Sequence, residues 1–497
     1  MNLPGFTRMR LSQVIQDISR SSSAPVPDFE IEGLAYDSRK VQRNFVFAAI
    51  KGEKTDGNLF VEQAAQRGAV AILSENTTPV EFHGWWVQVQ NARQALATAA
   101  ANFFGRPTEK LDLIGITGTN GKTSTAYLIE SILLARARVG VISTIEYRGP
   151  QGKMPADRTT PESLDLQALF RQFVEQGCRY VVMEVSSHAL AMERVHCCQF
   201  RSAVFTNLTR DHLDYHQTLE NYFDAKKRLF LGTGLNPPQQ SILNRDDPRG
   251  ADLERICSGR CLTYSTERKA DVELLDSRRE RQGTWVRLRT LEGELELQTR
   301  LLGKPNVSNL LAAVAVGLDL GVRPHQVKQG IEDCQPIPGR FEAVDCGQPF
   351  HVFVDYAHTP DALEKVLQTA RELAPKRLLA LFGCGGERDR SKRPAMGKVA
   401  DGLSDFSWIT SDNPRGEDPL RIISEIESGF QTRPKKYHVE PDRRKAIQAI
   451  LRHAKPGDIV VVAGKGHETY QILADRTIHF DDREETRLAL REMGATS

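Results

Sequence analysis

Residues 111–137 read LDLIGITGTNGKTSTAYLIESILLARA. LDLIGIT is an apolar run of strand length, and TSTAYLIESILLARA has the spacing of a helix with a buried stripe. Between them lies a turn rich in glycine. In such a strand–turn–helix the backbone N–H groups cradle phosphates, Lys122 offsets their charge, and the Thr123 hydroxyl is placed to hold Mg²⁺. The spacing departs from G-x-x-x-x-G-K-[ST], because Ile116 stands where the first Gly belongs and Gly115 and Gly118 bracket it. The plainer alternative is a glycine-rich turn that binds nothing. The placement of GKT after a buried strand and before a helix argues against it.

Working outward, VGVIST, YVVMEVS and SAVFTNL are further buried strands separated by helical stretches. This order predicts a parallel sheet with helices on both faces. TWVRLRT and ELELQTR, near residues 284–299, alternate polar and apolar residues and predict half-exposed, antiparallel strands. NVSNLLAAVAVGLDLG returns to helix and ends at Gly321. Upstream, FVFAAI and AVAIL are short strands flanking a helix that Gly68 ends. Downstream, Thr359 caps a helix with Pro360 at its first position, and Asp442 caps another; RLLALFG and DIVVVAG are buried strands. FGRPTEK and PIPGR read as linkers. The expected architecture is α/β in three domains: a small N-terminal α/β domain (1–108), a central P-loop-type parallel sheet (109–337) and a C-terminal Rossmann-like domain (338–497).

Lys plus Arg is 66 and Asp plus Glu 64 in 497 residues, a net charge of +2 that gives no general pull on nucleic acid or anionic membrane. With 40% hydrophobic and 26% charged residues the chain is expected to fold rather than stay disordered. The eight cysteines include no C-x-x-C pair and read as reduced thiols. The N-terminus lacks a signal-peptide core, and no apolar run approaches the ~18 residues of a spanning helix, so a cytoplasmic protein is expected.

Glu184 ends the strand YVVMEV, and His212 and Asp214 follow SAVFTNL. A carboxylate and an imidazole at adjacent parallel-strand ends point into the crevice where ligands bind, and would share a magnesium site with ATP phosphates.

These segments together resemble the Mur ligase and folylpolyglutamate synthetase superfamily. TGTNGKT resembles its nucleotide loop, EVSSHAL and TNLTRDHLDYH its metal-binding segments, and LLGKPNVSNLLAA the stretch beside the nucleotide. The resemblance implies an ATP site of Gly118, Thr119, Asn120, Gly121, Lys122, Thr123, Ser124 and Asn306, with Arg340 and Asp355 joining from the third domain. It implies Mg²⁺ near Thr123, Glu184 and His212. Lys226, by composition an exposed helix lysine, aligns with a lysine these ligases carry as a CO₂-derived carbamate (N6-carboxylysine). YDSRKV–FVFAAIKGEKTDG resembles the family's UDP-sugar-binding module, implying Ser38, Glu53, Lys54 and Thr55 as contacts; Asn44 stands in for a usual turn glycine, since Asn tolerates left-handed backbone. Thr159, Thr160, Ser186 and Arg194 match residues that hold the acceptor peptide, although Thr159 and Thr160 also read as a helix cap. Asp412-Asn413-Pro414-Arg415 resembles the turn of members that add meso-diaminopimelate, whose second carboxylate a guanidinium grips with two parallel hydrogen bonds. Arg388, Gly464 and Glu468 complete that pocket.

The implied activity is ATP-dependent amide ligation in peptidoglycan precursor synthesis. The implied partners are small molecules: ATP, a UDP-linked muramoyl dipeptide and diaminopimelate. No nucleic acid and no membrane span are expected, and the chain is expected to be a monomer. Two rivals remain at this point: a folylpolyglutamate synthetase, against which Asp37-Ser38-Arg39 and the D-N-P-R turn argue, and a switch that hydrolyses ATP slowly.

Overall fold

The computed structural model describes residues 8–21, 26–52, 55–79, 82–280 and 283–494. Three sheets carry most of the fold. The strand Asp112–Thr117 sits inside an eleven-stranded sheet, between Tyr180–Glu184 and Phe200–Phe205, and pairs with both in parallel. From that strand the chain first builds one side of the sheet and then crosses to the other. The phosphate loop therefore lies at a point where strand order reverses, which is where open α/β sheets bind ligands.

Alternation along Asp112–Thr117 divides the core. Ile114 and Ile116 pack with the helices Lys122–Leu133 and Lys304–Asp319 on one face. Leu113 packs on the other face with Leu166, Phe170 and Phe173 of Ser163–Glu175 and with Phe223 and Phe230 of Leu219–Leu231. Each such fully buried side chain contributes about 1.5–3 kcal/mol relative to exposure.

The parallel block ends in antiparallel strands on both sides. Gly283–Thr290 and Gly293–Thr299 are antiparallel as expected, but a third strand, Val272–Glu280, pairs with the first of them. Its alternation breaks at a register shift between Leu274 and Asp276, so the sequence pattern hides it.

Upstream, the strands Gly33–Ala35, Phe45–Ala48, Ala69–Ser74 and Trp85–Gln88 form a parallel sheet. Asn44 has φ +62°, the left-handed conformation expected of it. This sheet's helix Ala92–Phe103 packs on Ser163–Glu175, and the Tyr36 hydroxyl donates to Asp165 at 2.6 Å across the seam. Downstream, Glu342–Ala343, His351–Asp355, Ile459–Ala463, Leu378–Phe382, Phe406–Ile409 and Tyr437–Val439 lie side by side, parallel except for the first pair. Pro360–Glu372 and Lys392–Leu403 cover one face, Arg443–His453 and Asp482–Glu492 the other. Thr359 and Asp442 cap their helices as expected, accepting from Ala362 N–H and from Arg444 and Lys445 N–H.

One local expectation is corrected. The helix after Thr159-Thr160 begins at Ser163, so these threonines do not cap it. Within PIPGR, Ile337 is fully buried in the central core. Among the described residues no helix is long and apolar enough to cross a membrane.

Candidate active site

The phosphate loop is held from the neighbouring strand end. Thr119 N–H donates to the Asn207 carbonyl (2.9 Å), Asn120 N–H donates to Asn207 Oδ1 (3.0 Å), and Thr206 Oγ1 donates to the Asn120 carbonyl (2.6 Å). A Cβ on Gly118 would fall 1.9 Å from Thr206 Oγ1, so this approach admits only glycine. Gly121 precedes the helix, Ser124 lies buried in its first turn, and Lys122 Nζ donates to the carbonyls of Gly118 and Thr119 at 2.9 and 2.8 Å.

Thr123 Oγ1 donates to Glu184 Oε1 at 2.8 Å. Glu184 is buried, and its carboxylate also accepts from Thr144 N–H (2.9 Å) and Thr144 Oγ1 (3.0 Å). Thr160 Oγ1 donates to the Glu184 carbonyl (2.8 Å) and accepts from Ser186 N–H (3.1 Å), while Thr159 pairs with Thr144. These threonines thus tie two strand-end loops together. Arg194 is buried, ion-paired with Glu162 at 2.8 Å, and donates to the Thr160 carbonyl.

His212 sits beside Asp211 (3.3 Å), and burial holds its imidazole well below the ordinary histidine range, hence neutral. Lys226 is 1% exposed, which rules out a solvated helix lysine. Its Nζ donates to the Gly118 carbonyl at 2.9 Å, and burial and the Lys122 charge push it well below the usual lysine range.

The C-terminal sheet closes over this loop. Arg340 Nη2 donates to Thr123 Oγ1 at 2.9 Å, with its guanidinium 4.7 Å from the Tyr356 ring. Asp355 accepts from Phe341 and Ala357 N–H, and burial raises its carboxyl to about 6. Asp361 Oδ2 accepts from Asn120 Nδ2 at 2.7 Å. Asn306 donates to the Leu302 carbonyl and accepts from Asn309. Between the two sheets lies a cavity of about 760 Å³ whose walls include Thr119–Ser124, Thr159, Glu184, Ser186, His212, Asn306, Arg340 and Asp355.

The remaining residues form two separate groups. After the C-terminal strands, Asn413 Nδ2 donates to Glu468 (2.9 Å), and Lys465 Nζ donates to Asn413 Oδ1 (3.1 Å) and Glu468 (2.9 Å), 3.7 Å from Asp412. Gly464 and Pro414 are buried in this cluster, and Arg388 and Arg415 stand at its solvent side. Lys465 is fully buried; uncompensated, such a charge would cost several kcal/mol, and here three side chains surround it. In the N-terminal unit Ser38 is buried and donates to Gln63 at 2.6 Å, and the exposed Thr55 accepts from Gly52 N–H. Glu53 and Lys54 lie outside the described residues.

Sequence reasoning missed Thr144, Asp211, Asp361 and Lys465. Asp211, Asp361 and Lys465 fall inside the segments TRDH, AHTPDAL and GKGHE, so proximity to those motifs was a usable signal; Thr144 carries none.

Among the described residues no three His, Cys, Asp or Glu side chains group to hold a metal alone. The oxygen donors present do suit Mg²⁺: a hydroxyl and a carboxylate already in contact, and an open cavity for phosphate oxygens, with His212 on the same wall.

Three family descriptions match the chain in order: Mur ligase family, catalytic domain (30–104), Mur ligase middle domain (116–317), and Mur ligase, glutamate ligase domain (339–466). A curated UDP-N-acetylmuramoyl-L-alanyl-D-glutamate--2,6-diaminopimelate ligase from Solibacter usitatus is 48% identical over 98% of this chain and 99% of its own. A relative of the same name from Geobacter metallireducens is 44% identical over 98% and 99%. A solved structure of a ligase so named is 33% identical, with a TM-score of 0.69, covering 99% of this chain and 100% of that one. Matched along all three sheets and nearly end to end, the chain belongs to the Mur ligase family.

Proposed function

We propose that the chain joins meso-2,6-diaminopimelate to the D-glutamate side-chain carboxylate of UDP-N-acetylmuramoyl-L-alanyl-D-glutamate, using ATP and passing through an acyl phosphate. The observation that carries this reading is the nearly full-length match to relatives of that name. Hydroxide is a poor leaving group, so the carboxylate needs activation. ATP would bind in the cavity with its phosphates on Lys122 and on the N–H groups at the start of the helix Lys122–Leu133, since those of Thr119 and Asn120 are taken by Asn207. Lys122 and Arg340 would offset the charge of the moving phosphoryl group, one from each wall. Thr159, Thr160, Ser186 and Arg194 would orient the acceptor carboxylate, and Ser38 with Glu53, Lys54 and Thr55 would hold its UDP end. Arg388, Arg415, Asn413 and Glu468 would present the amine to the acyl carbon, where phosphate leaves. Approach of the C-terminal wall would exclude the water that hydrolyses an acyl phosphate. The three units are read as 1–108 for the UDP-sugar, 109–337 for ATP and 338–497 for the amino acid.

Mg²⁺ held by Thr123, Glu184 and His212 would supply charge neutralisation at the phosphates. We read Lys226 as the carbamate carrier, because burial favours the neutral amine, the form that adds CO₂. Intact-mass and peptide analysis of gently handled protein should find the added CO₂ on Lys226, and bicarbonate should restore activity to a Lys226→Cys variant no better than to an inert control.

The reaction is tested with a panel of amino acids, ATP and the UDP-linked dipeptide. ADP release and a new amide with diaminopimelate are expected. ADP release without either co-substrate would favour the slow ATPase, and use of folate in place of the UDP-linked acceptor would favour the synthetase.

A further inference from the structure

Arg388 and Arg415 come from different loops. Arg388 follows the strand Leu378–Phe382, and Arg415 lies in the turn after Phe406–Ile409. Neither loop by itself fixes the spacing between the two guanidiniums. Hydrogen bonds between the loops hold them together, and a third arginine anchors the carboxylate that bridges them. Arg393, in the first turn of Lys392–Leu403, is fully buried. Its Nη1 and Nη2 donate to the two oxygens of Glu417 at 2.9 and 3.0 Å, its Nη1 also donates to Glu425 at 2.8 Å, and its Nη2 donates to the Gly385 carbonyl at 3.2 Å.

Glu417 stands two residues past Arg415, and its Oε1 also accepts from Glu387 N–H at 2.5 Å, one residue before Arg388. One carboxylate therefore holds both loops. The backbones confirm how closely they run: Gly386 N–H donates to the Asn413 carbonyl, Arg415 Nη1 donates to the Gly386 carbonyl, both at 2.9 Å, and a Cβ on Gly386 would fall 1.9 Å from the Pro414 carbonyl oxygen. The Arg393 hydrogen bonds hold the Glu417 carboxyl down to about 2, so the clamp is ionised across the working pH range.

We propose that the Arg393–Glu417 pair is a positioning device for amino-acid specificity: it sets the separation at which Arg388 and Arg415 meet the second carboxylate of the incoming diamino diacid, without itself touching that carboxylate. This rests on the function proposed above. The positioning role is separable from fold stability, because Arg393 has a second carboxylate partner. With Glu417 neutralised, Glu425 and the Gly385 carbonyl still compensate the buried guanidinium, while the link between the two loops loses its bidentate geometry.

Glu417→Gln keeps the shape but turns one acceptor into a donor facing Arg393 or the Glu387 N–H. Steady-state kinetics of the full chain would be measured with ATP, the UDP-linked dipeptide and meso-diaminopimelate, alongside Glu417→Asp and a thermal melt. KM for diaminopimelate should rise about tenfold in Glu417→Gln, with kcat at saturation and KM for ATP near wild type. Glu417→Asp, which keeps the charge, should recover part of the loss. An unchanged diaminopimelate KM overturns the proposal. So does a parallel rise in the KM for ATP, or an equal fall in the use of L-lysine at high concentration, since lysine has no second carboxylate to misplace. If wild-type protein makes no amide with diaminopimelate, the functional reading fails and takes this inference with it; if wild type is active and Glu417→Gln is indifferent, only this inference falls.

Discussion

At the scale of single residues, Arg415 and Asp355 make separable predictions. Arg415 is partly exposed at the mouth of the Asn413–Glu468 cluster, with left-handed backbone (φ +53°) and Nη1 on the Gly386 carbonyl. Arg415→Ala should lower kcat/KM for diaminopimelate by about a hundredfold or more while nucleotide binding stays intact. Titration calorimetry with an ATP analogue, beside the amidation assay, checks both halves, and undiminished diaminopimelate kinetics would sink the pocket assignment. Asp355 is instead a stability probe. Burial raises its carboxyl from 3.8 to about 6, so between those values the folded chain keeps a proton that the unfolded chain has lost. Its contribution to stability therefore falls as pH rises through that window. The difference in urea midpoint between wild type and Asp355→Asn should shift against wild type from pH 4 to 6.5 and level off above 7; a flat difference would contradict the buried, protonatable carboxyl.

At the scale of elements, the capping signals were legible because they are local. Thr359 before Pro360 and Asp442 before Arg443 state a helix start in consecutive residues, and both caps form. Thr359→Ala should cost about 1 kcal/mol, the usual price of a lost N-cap, measured as a lowered denaturation midpoint with the secondary structure unchanged. Val272–Glu280 was illegible for the opposite reason. Its pattern breaks at Asp276, and only pairing with Gly283–Thr290 reveals the strand. Thr159 and Thr160 carried a cap signal that a longer-range contact overrides: Thr160 serves the Glu184 strand end, and the helix starts later. Lys226 shows the same limit. In YFDAKKRLF the helical spacing puts Lys226, not Lys227, on the stripe of Tyr222, Phe223, Leu229 and Phe230, but composition alone reads it as exposed; packing against the phosphate loop buries it.

At the scale of the whole molecule, the nucleotide loop was legible as a motif, but its completion was not, because Thr123 and Arg340 are 217 residues apart and meet only across two sheets. Arg340→Ala should lower kcat by about a hundred- to a thousandfold, as expected for a donor aimed at developing charge, with a smaller change in KM for ATP. Rapid-quench measurement of acyl-phosphate formation would locate the defect, and a variant slow only in product release would contradict the role given to this arginine. Gly118 imposes a further consequence. Any side chain there collides with Thr206, so this position has no substitution with which to reshape the peptide group it offers. An inhibitor that reads the Gly118 peptide group, rather than neighbouring side chains, would meet a position closed to escape by substitution.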